Sequence, residues 1–371
     1  MRVLIFGAGA SKPAGYPVAG KLISAIGNFV EDEREVMLKR YWERWDSWRK
    51  NTQGIMREIA LNPNPEVVLS LPELCERALR ATSDEHLGRA LRKWDARQLS
   101  EADERRYTDY LNSDEHQELS EGWPALKGFI ECLQRFFFYR HYQDAKNPRL
   151  RDYLRRHFAR LSEGDVVITL NWDTTAERTL YEAGDWSPIT GYGFRKNLRT
   201  MPYRGPLPRG VSRHSKVTVL KLHGSIGWHP SPSSGVYFDH PLFLSQFGFS
   251  ANDNPIDLVD PEAPTDRPAQ GSVLLYPSFL KQLSGFAIQQ IWHAAAESLR
   301  KAERVDVYGY SLPESDTAVR TLLNVMRFRS AEGRLRLRVH DPSGSAQSRW
   351  QNFLGDSATI DSQLVEEDPA S

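Results

Sequence analysis

The sequence predicts an α/β fold, with a doubly wound parallel sheet and a large helical insertion. Short apolar runs of strand length alternate with stretches in which apolar residues recur at helical spacing, which is typical of a parallel sheet flanked by helices. The predicted strands are residues 3–6, 166–170, 217–222, 273–276, 305–308 and 335–340. Residues 28–160 carry mostly helical patterns between the first two strands, so they form the insertion.

The individual elements follow from the apolar pattern. The first run, 3–6, is entirely apolar and ends at Gly7, as a buried parallel strand does when it enters a tight turn. A helix is predicted to begin near Thr174, directly after the second strand. A helical pattern resumes near Val18 and continues to residue 30, and further patterns lie at residues 126–137, 286–299 and 319–326.

These elements predict three parts of the chain. A sheet domain comprises residues 1–27 and 161–345, and 28–160 forms a helical subdomain. Residues 346–371 are assigned to a C-terminal tail, which is predicted to be disordered from Glu366 onward. A stretch rich in Pro, Asp and Asn, 251–271, is predicted to be a long surface loop.

Composition excludes several classes of protein. The 371 residues carry 48 basic and 48 acidic side chains, so net charge gives no indication of nucleic-acid binding. Two cysteines cannot form a four-cysteine zinc site, and no His/Cys cluster replaces it, so no metal is expected. No apolar run approaches the roughly 18 residues that span a bilayer, and no signal peptide is recognisable. A cytoplasmic protein is therefore expected.

The strongest candidate site begins at the turn after the first strand, residues 7–11. Its two glycines, Gly7 and Gly9, allow a sharp bend and close approach of a ligand, and free amides at a helix start can hold a pyrophosphate. The third glycine of the dinucleotide fingerprint would fall at Lys12, so a purely structural turn is the alternative. Residues 15–21 match a Walker loop, but Leu22 replaces the Ser or Thr that would hold magnesium.

Polar residues also follow the second and third strands. Asn171 can orient a ribose hydroxyl or an attacking water, and Asp173 can accept from a carboxamide, face a developing cation, or simply cap the next helix. His223 precedes Gly224 and suits general base work near neutral pH, although a lone histidine is more often structural. Ligands bind outside the carboxyl ends of parallel strands, so these positions point to one site.

Two later strand ends carry related residues. Gly309 and Ser311 repeat the strand, glycine, serine and helix order of the first turn. Asp341 follows the last predicted strand, where an acid can bind a ribose diol or cap a helix.

The order of these motifs resembles the sirtuin-like family of NAD-consuming proteins. The motifs are GAGAS with Gly15 and Pro17, then TLNWD, HG and GYS. The resemblance implies a Rossmann-like doubly wound parallel sheet with NAD as substrate. It implies catalytic roles for Asn171, His223 and Asp173. It also implies a set of NAD-binding residues, namely Gly7, Ala8, Gly9, Ser11, Pro17, Thr169, Gly309, Ser311 and Asp341.

Departures from the deacylase sirtuins narrow the resemblance. Their four-cysteine zinc ribbon is absent, and Leu170 replaces the glutamine of their Thr-Gln-Asn motif. The segment GYSLPESD, residues 309–316, resembles a segment that is common in the bacterial NAD hydrolases of antiphage (antiviral) defence. That branch implies an NAD glycohydrolase that releases nicotinamide and ADP-ribose to deplete NAD, without zinc. It also implies a homo-oligomer and a partner such as a HerA-like ATPase or an Argonaute.

Other functions stay open at the level of sequence. ADP-ribosyl transfer or deacylation would use the same residues as hydrolysis, and a regulatory module would bind NAD or ADP-ribose without turnover. The stretch 195–216 carries seven basic side chains and no acid, so it either contacts nucleic-acid phosphates or forms a solvated loop; the second interpretation is preferred.

Overall fold

Among the residues that the structure describes, six parallel strands form one sheet, namely β1 Arg2–Phe6, β2 Val166–Thr169, β3 Thr218–Lys221, β6 Arg304–Tyr308, β7 Arg336–His340 and β8 Ile360–Gln363. Their order across the sheet is β3-β2-β1-β6-β7-β8. An antiparallel hairpin, β4 Trp228–Ser231 and β5 Gly235–Phe238, stands apart from this sheet. The chain builds outward from β1 to β3 and then returns to β6 on the opposite side of β1, so the strand order reverses between β1 and β6.

The computed structural model describes residues 1–32, 36–52, 114–146, 151–187, 190–193, 214–231, 235–238, 286–314, 316–340, 344–355 and 360–363. Its helices are α1 Leu22–Asp32, α2 Val36–Asn51, α3 Asp114–Lys146, α4 Asp152–Phe158, α5 Thr175–Glu182, α6 Phe286–Lys301, α7 Thr317–Leu323, α8 Val325–Ala331 and α9 Ser345–Leu354. Two short 3-10 helices, Ala8–Ala14 and Ala19–Lys21, follow β1.

The described residues form two compact units. One holds the described residues of 1–19, 134–276 and 281–371, and it contains the sheet. The other holds residues 20–133, where Trp45 of α2 packs on Phe129 of α3 with ring centroids 4.8 Å apart. None of the described helices combines the length and apolar character needed to cross a bilayer.

Strand prediction succeeds where apolar runs are continuous. Five predicted strands are confirmed as β1, β2, β3, β6 and β7, and their apolar side chains are buried. The α/β class is therefore confirmed. The sixth predicted strand, 273–276, the loop 251–271, the segment 195–213 and residues 366–371 lie outside the described residues.

The segment assigned to a tail contains regular structure. Helix α9 packs against β7 and β8, and β8 pairs with β7 from Leu337↔Ile360 to His340↔Gln363. Trp350 of α9 is fully buried and donates its indole N–H to the Tyr310 carbonyl at 3.2 Å. The indole thus anchors α9 to the loop that follows β6.

Stacked rings join the ends of three neighbouring strands. Phe6 of β1 stacks on Tyr308 of β6 with centroids 5.0 Å apart, and Tyr308 stacks on His340 of β7 at 4.2 Å. Burial raises the pKa of Tyr308 to about 12, so its ring carries a neutral hydroxyl at ordinary pH. The ladder fixes the strand ends from which the loops of the candidate site emerge.

Candidate functional site at the strand ends

Four loops meet where β3, β2, β1 and β6 end. They begin after Lys221, Thr169, Phe6 and Tyr308, and these strands are consecutive neighbours in the sheet. Because the strands are parallel, their carboxyl ends lie on one edge. The motifs singled out from the sequence therefore share this edge, as their positions predicted.

The loops after β1 and β6 approach each other backbone to backbone. The amides of Gly7 and Gly9 donate to the carbonyls of Tyr308 and Gly309, each at 3.0 Å. A Cβ added at Gly7 would lie 2.6 Å from the Gly309 carbonyl oxygen, and one at Gly9 would lie 2.8 Å from the Gly309 Cα. The close contact between the two loops therefore requires glycine at both positions, and both backbone amides donate hydrogen bonds within that contact.

Gly309 is the tightest position of this contact. Its φ is +59°, and a Cβ there would lie 2.6 Å from the Gly9 Cα and closer still to the Gly9 carbonyl carbon and the Ala10 nitrogen. We expect Gly309→Ala to lower the free energy of unfolding by about 3 kcal/mol, because about 1–2 kcal/mol of left-handed strain adds to about 1–3 kcal/mol of overpacking. Urea denaturation of the purified variant measures this loss.

Gly164 provides the matched control for that substitution. Its φ is +86°, but a Cβ would meet nothing within 4 Å, so Gly164→Ala should show only the backbone cost of about 1 kcal/mol. Equal losses at the two positions would show that the contact between the loops is not tight.

Asn171, Ser11 and Asp173 form one hydrogen-bonded chain. The Asn171 side-chain amide donates to the Gly7 carbonyl at 3.0 Å and to Ser11 Oγ at 2.9 Å, and Ser11 Oγ donates to Asp173 Oδ2 at 2.8 Å. Both hydrogens of Asn171 Nδ2 are thus used, which fixes the orientation of the amide and leaves Oδ1 as an acceptor. The chain ties the loop after β2 to the loop after β1.

Asp173 combines this bridge with a local cap. Its Oδ1 accepts from the Thr175 amide at 3.0 Å and from the Thr175 hydroxyl, at the start of α5. Oδ1 thus bonds the first turn of α5, while Oδ2 bonds Ser11 in the loop after β1. The buried carboxylate is fixed in position by both oxygens.

A buried ion pair supports the Asp173 loop from below. Lys221, the last residue of β3, donates to the Asp173 carbonyl and pairs with Glu177 Oε1 at 2.9 Å, with both side chains 0% exposed. Burial raises the pKa of the Glu177 carboxyl, and the Lys221 ammonium acts in the opposite direction. Tyr192 also donates to Glu177 Oε1 at 3.2 Å.

His223 is held in one tautomer. Its Nδ1 lies 3.1 Å from the Leu170 carbonyl oxygen, which can only accept, so Nδ1 carries the proton and the lone pair of the neutral ring lies on Nε2. Nε2 faces Asp316 Oδ2 at 3.8 Å. The imidazole is 5% exposed and sits on the strand edge that also bears the Asn171 chain. This arrangement orients a histidine to accept a proton at Nε2.

A second buried network holds Thr174, the residue after Asp173. Its Oγ1 lies 2.8 Å from His141 Nδ1, and His141 Nε2 contacts the Arg178 guanidinium at 2.6 Å. Since arginine only donates, His141 Nε2 accepts and Nδ1 donates to Thr174. Arg178 and Arg151 both pair with Asp144, at 3.2 and 2.8 Å. The start of α5 is consequently fixed from two sides.

The remaining predicted residues are placed as follows. Thr169 is buried, and its Oγ1 accepts a hydrogen bond from the backbone N–H of Asn171 at 3.1 Å. Ala8 lies in the turn itself and is partly exposed, and Pro17 lies between the two 3-10 helices. Ser311 is exposed, and its carbonyl accepts from Arg349 at 2.7 Å. Asp341 lies outside the described residues.

Sequence reasoning did not single out Asp316, Lys221 or Glu177. A lysine in the largely apolar run 217–222 is a recognisable signal, because an unpaired lysine is almost never fully buried. Glu177, four residues after Asp173, gives no comparable signal. An Asp directly before a helical pattern predicts a cap at Asp316, but its proximity to His223 requires the three-dimensional structure.

Comparisons with known proteins leave the site to be interpreted from its own chemistry. No protein-family model matches the chain, and no curated protein matches it either. Among the residues that the structure describes, no group of three or more His, Cys, Asp or Glu is arranged to hold a metal ion.

Proposed function

We propose that this chain is an NAD hydrolase that cleaves the bond between nicotinamide and ribose. The observation that carries the proposal is the fixed constellation at one sheet edge, with the Asn171–Ser11–Asp173 chain and a histidine whose Nε2 is the proton acceptor. The resemblance of the same motifs to sirtuin-like NAD hydrolases supports it. The products are nicotinamide and ADP-ribose.

The topology supports a dinucleotide as the ligand. In an open parallel sheet, ligands bind outside the carboxyl ends of the strands where the strand order reverses. Here that point lies between β1 and β6, whose loops carry Gly7, Gly9 and Gly309. We infer a Rossmann-like, doubly wound sheet with a helical insertion, and we assign the phosphates and ribose of NAD to the exposed side of these loops.

The proposed reaction needs positioning more than acid catalysis. The bond between C1′ of ribose and the nicotinamide nitrogen breaks, and its electron pair neutralises the pyridinium, so the leaving group needs no proton. Water attacks C1′ of the oxocarbenium-like sugar and loses one proton. Atoms balance as NAD⁺ and water giving nicotinamide, ADP-ribose and a proton. Fixed dipoles and an oriented base contribute most in such a step.

Each polar residue has a distinct role in this proposal. Asn171 Oδ1, for which the described part of the chain shows no donor, accepts a hydrogen bond from the attacking water or a ribose hydroxyl. His223 Nε2 takes the proton. The negative charge of Asp173, held by Ser11 and Thr175, favours the developing positive charge on the sugar.

The biological role that we propose rests on the resemblance. An enzyme that empties the NAD pool would arrest an infected cell, so the chain would be the effector of an antiphage defence system. Such effectors act as homo-oligomers or with a sensing partner, such as a HerA-like ATPase or an Argonaute. ADP-ribosyl transfer from the same site is an outcome that the test below distinguishes.

The test incubates the purified chain with NAD labelled in the ADP-ribose part, over a range of protein concentrations, and separates the products by chromatography. We expect free nicotinamide and ADP-ribose from the parent and roughly 10²-fold less from Asn171→Ala, because small misplacements of reacting groups cost about that factor. Asn28→Ala, at an exposed position in α1, is the control and should match the parent. NAD that stays intact, or label that stays on the protein, would contradict hydrolysis.

A further inference from the structure

Asp316 lies beside the proposed general base although it belongs to a different loop. It precedes α7, is only 2% exposed, and places Oδ2 3.8 Å from His223 Nε2. The same Oδ2 accepts from the Tyr310 hydroxyl at 3.1 Å. A buried carboxylate therefore faces the nitrogen that would take up a proton.

Capping alone does not explain an aspartate here. Asp316 Oδ1 accepts from the Val319 amide at 3.4 Å, which is a long hydrogen bond. Asn caps helices about as well as Asp does, and the burial of a carboxylate is costly unless its charge is compensated. The position next to an imidazole supplies that compensation when the ring is protonated.

The loop that carries Asp316 is held in an uncommon conformation. Leu312 has φ +55° with a fully buried side chain, which is unusual for a residue other than glycine. Its carbonyl accepts from Arg320 at 3.2 Å, and the Ser311 carbonyl accepts from Arg349 at 2.7 Å. Such conformations persist where the surroundings enforce them, and they cluster at functional sites.

The other charged groups of the neighbouring elements are committed to contacts of their own. Lys221, on the same strand end as His223, pairs with Glu177 and the Asp173 carbonyl. Asp173 accepts from Ser11 and Thr175. On the side of β6, the Tyr310 hydroxyl donates to Asp316 itself. Of these groups, Asp316 is the one that faces Nε2.

We propose that Asp316 is the charge partner of His223, a positioning residue whose carboxylate orients the imidazole and stabilises the imidazolium formed at Nε2. The 3.8 Å separation is an ion-pair distance rather than a hydrogen bond, so the carboxylate acts through its charge. The Leu170 carbonyl fixes the opposite nitrogen. The proposal rests on the proposed function for its effect on rate, but not for its effect on the titration of His223.

Asp316→Asn separates charge from capping, because Asn keeps the acceptor for the Val319 amide and removes the charge. The His223 signal is followed by NMR in protein with ¹³C-labelled histidine, and His223→Gln assigns it by its absence. We expect the titration midpoint of His223 to move to lower pH in Asp316→Asn, since a nearby carboxylate favours the charged ring. In kinetics, kcat should fall about tenfold or more, and the acid limb of the pH–rate profile should move to lower pH.

Asp152→Asn is the matched control, because Asp152 is an exposed carboxylate on α4 that pairs with Arg155. It should change neither the titration nor the rate. An unchanged His223 midpoint in Asp316→Asn would overturn the pairing while leaving NAD hydrolysis by the parent intact. A parent that leaves NAD intact would overturn the proposed function, and the NMR titration would still decide whether Asp316 is the charge partner.

Discussion

Replacing His223 with alanine is expected to lower the rate of NAD hydrolysis about 10²–10⁴-fold, the range over which general bases contribute. The reason is the fixed tautomer, in which the Leu170 carbonyl holds the Nδ1 proton and presents Nε2 as the acceptor. Nicotinamide release, measured by chromatography at several NAD concentrations, gives kcat and KM separately. The loss should fall on kcat, because the base acts in the transition state.

Two further variants make this result specific. His223→Gln retains a side-chain amide that can donate to Leu170, but it has no basic nitrogen, so its rate should be as low as that of the alanine variant. His214→Ala, at an exposed histidine that pairs with Glu163, should match the parent. Full activity in His223→Gln would show that the residue is structural and that another group takes the proton.

Strand positions were predictable because these strands bury both faces. Residues 3–6 are all apolar and are 0–2% exposed, so a continuous apolar run in the sequence corresponds to a strand that is buried on both faces. The predicted convergence of loops also follows from physics that sequence reveals, since parallel strands end at one edge. The sequence therefore predicts that Asn171 and Asp173 lie near Ser11, and the structure shows the hydrogen bonds that join them.

Contacts between distant segments were not predictable from local patterns. Gly7 and Gly9 signal a close approach, but sequence suggested a ligand, whereas the structure shows that they pack against Gly309. Residues 360–363 fall within the predicted tail, and the structure shows that they pair with β7 as strand β8. Asp316 faces His223 across two loops that lie far apart in the chain.

Lys221→Met is expected to lower the free energy of unfolding by about 3–5 kcal/mol, because it leaves the fully buried Glu177 carboxylate without its partner. Burial already raises the pKa of Glu177, and removal of Lys221 raises it further. A carboxyl whose folded pKa lies above its unfolded pKa stabilises the fold fully only below the unfolded pKa, and this contribution is lost as pH rises from there through the folded pKa. The defect should therefore be small at low pH and grow toward neutrality, as urea denaturation at several pH values would show.

Neutralising both partners should restore most of this loss. In Lys221→Met with Glu177→Gln, neither member of the pair carries a charge, and Gln keeps an acceptor for the Tyr192 hydroxyl. Replacement of a whole buried pair is often close to neutral, whereas removal of one partner is not.

Lys216→Met is the control, because Lys216 pairs with Asp185 at a site where both side chains are partly exposed, and it should cost at most about 1 kcal/mol. If Lys221→Met costs no more than this control, the pair does not support the Asp173 loop. If the double variant is stable yet hydrolyses NAD more slowly, the bond from Lys221 to the Asp173 carbonyl positions the site as well as stabilising the fold.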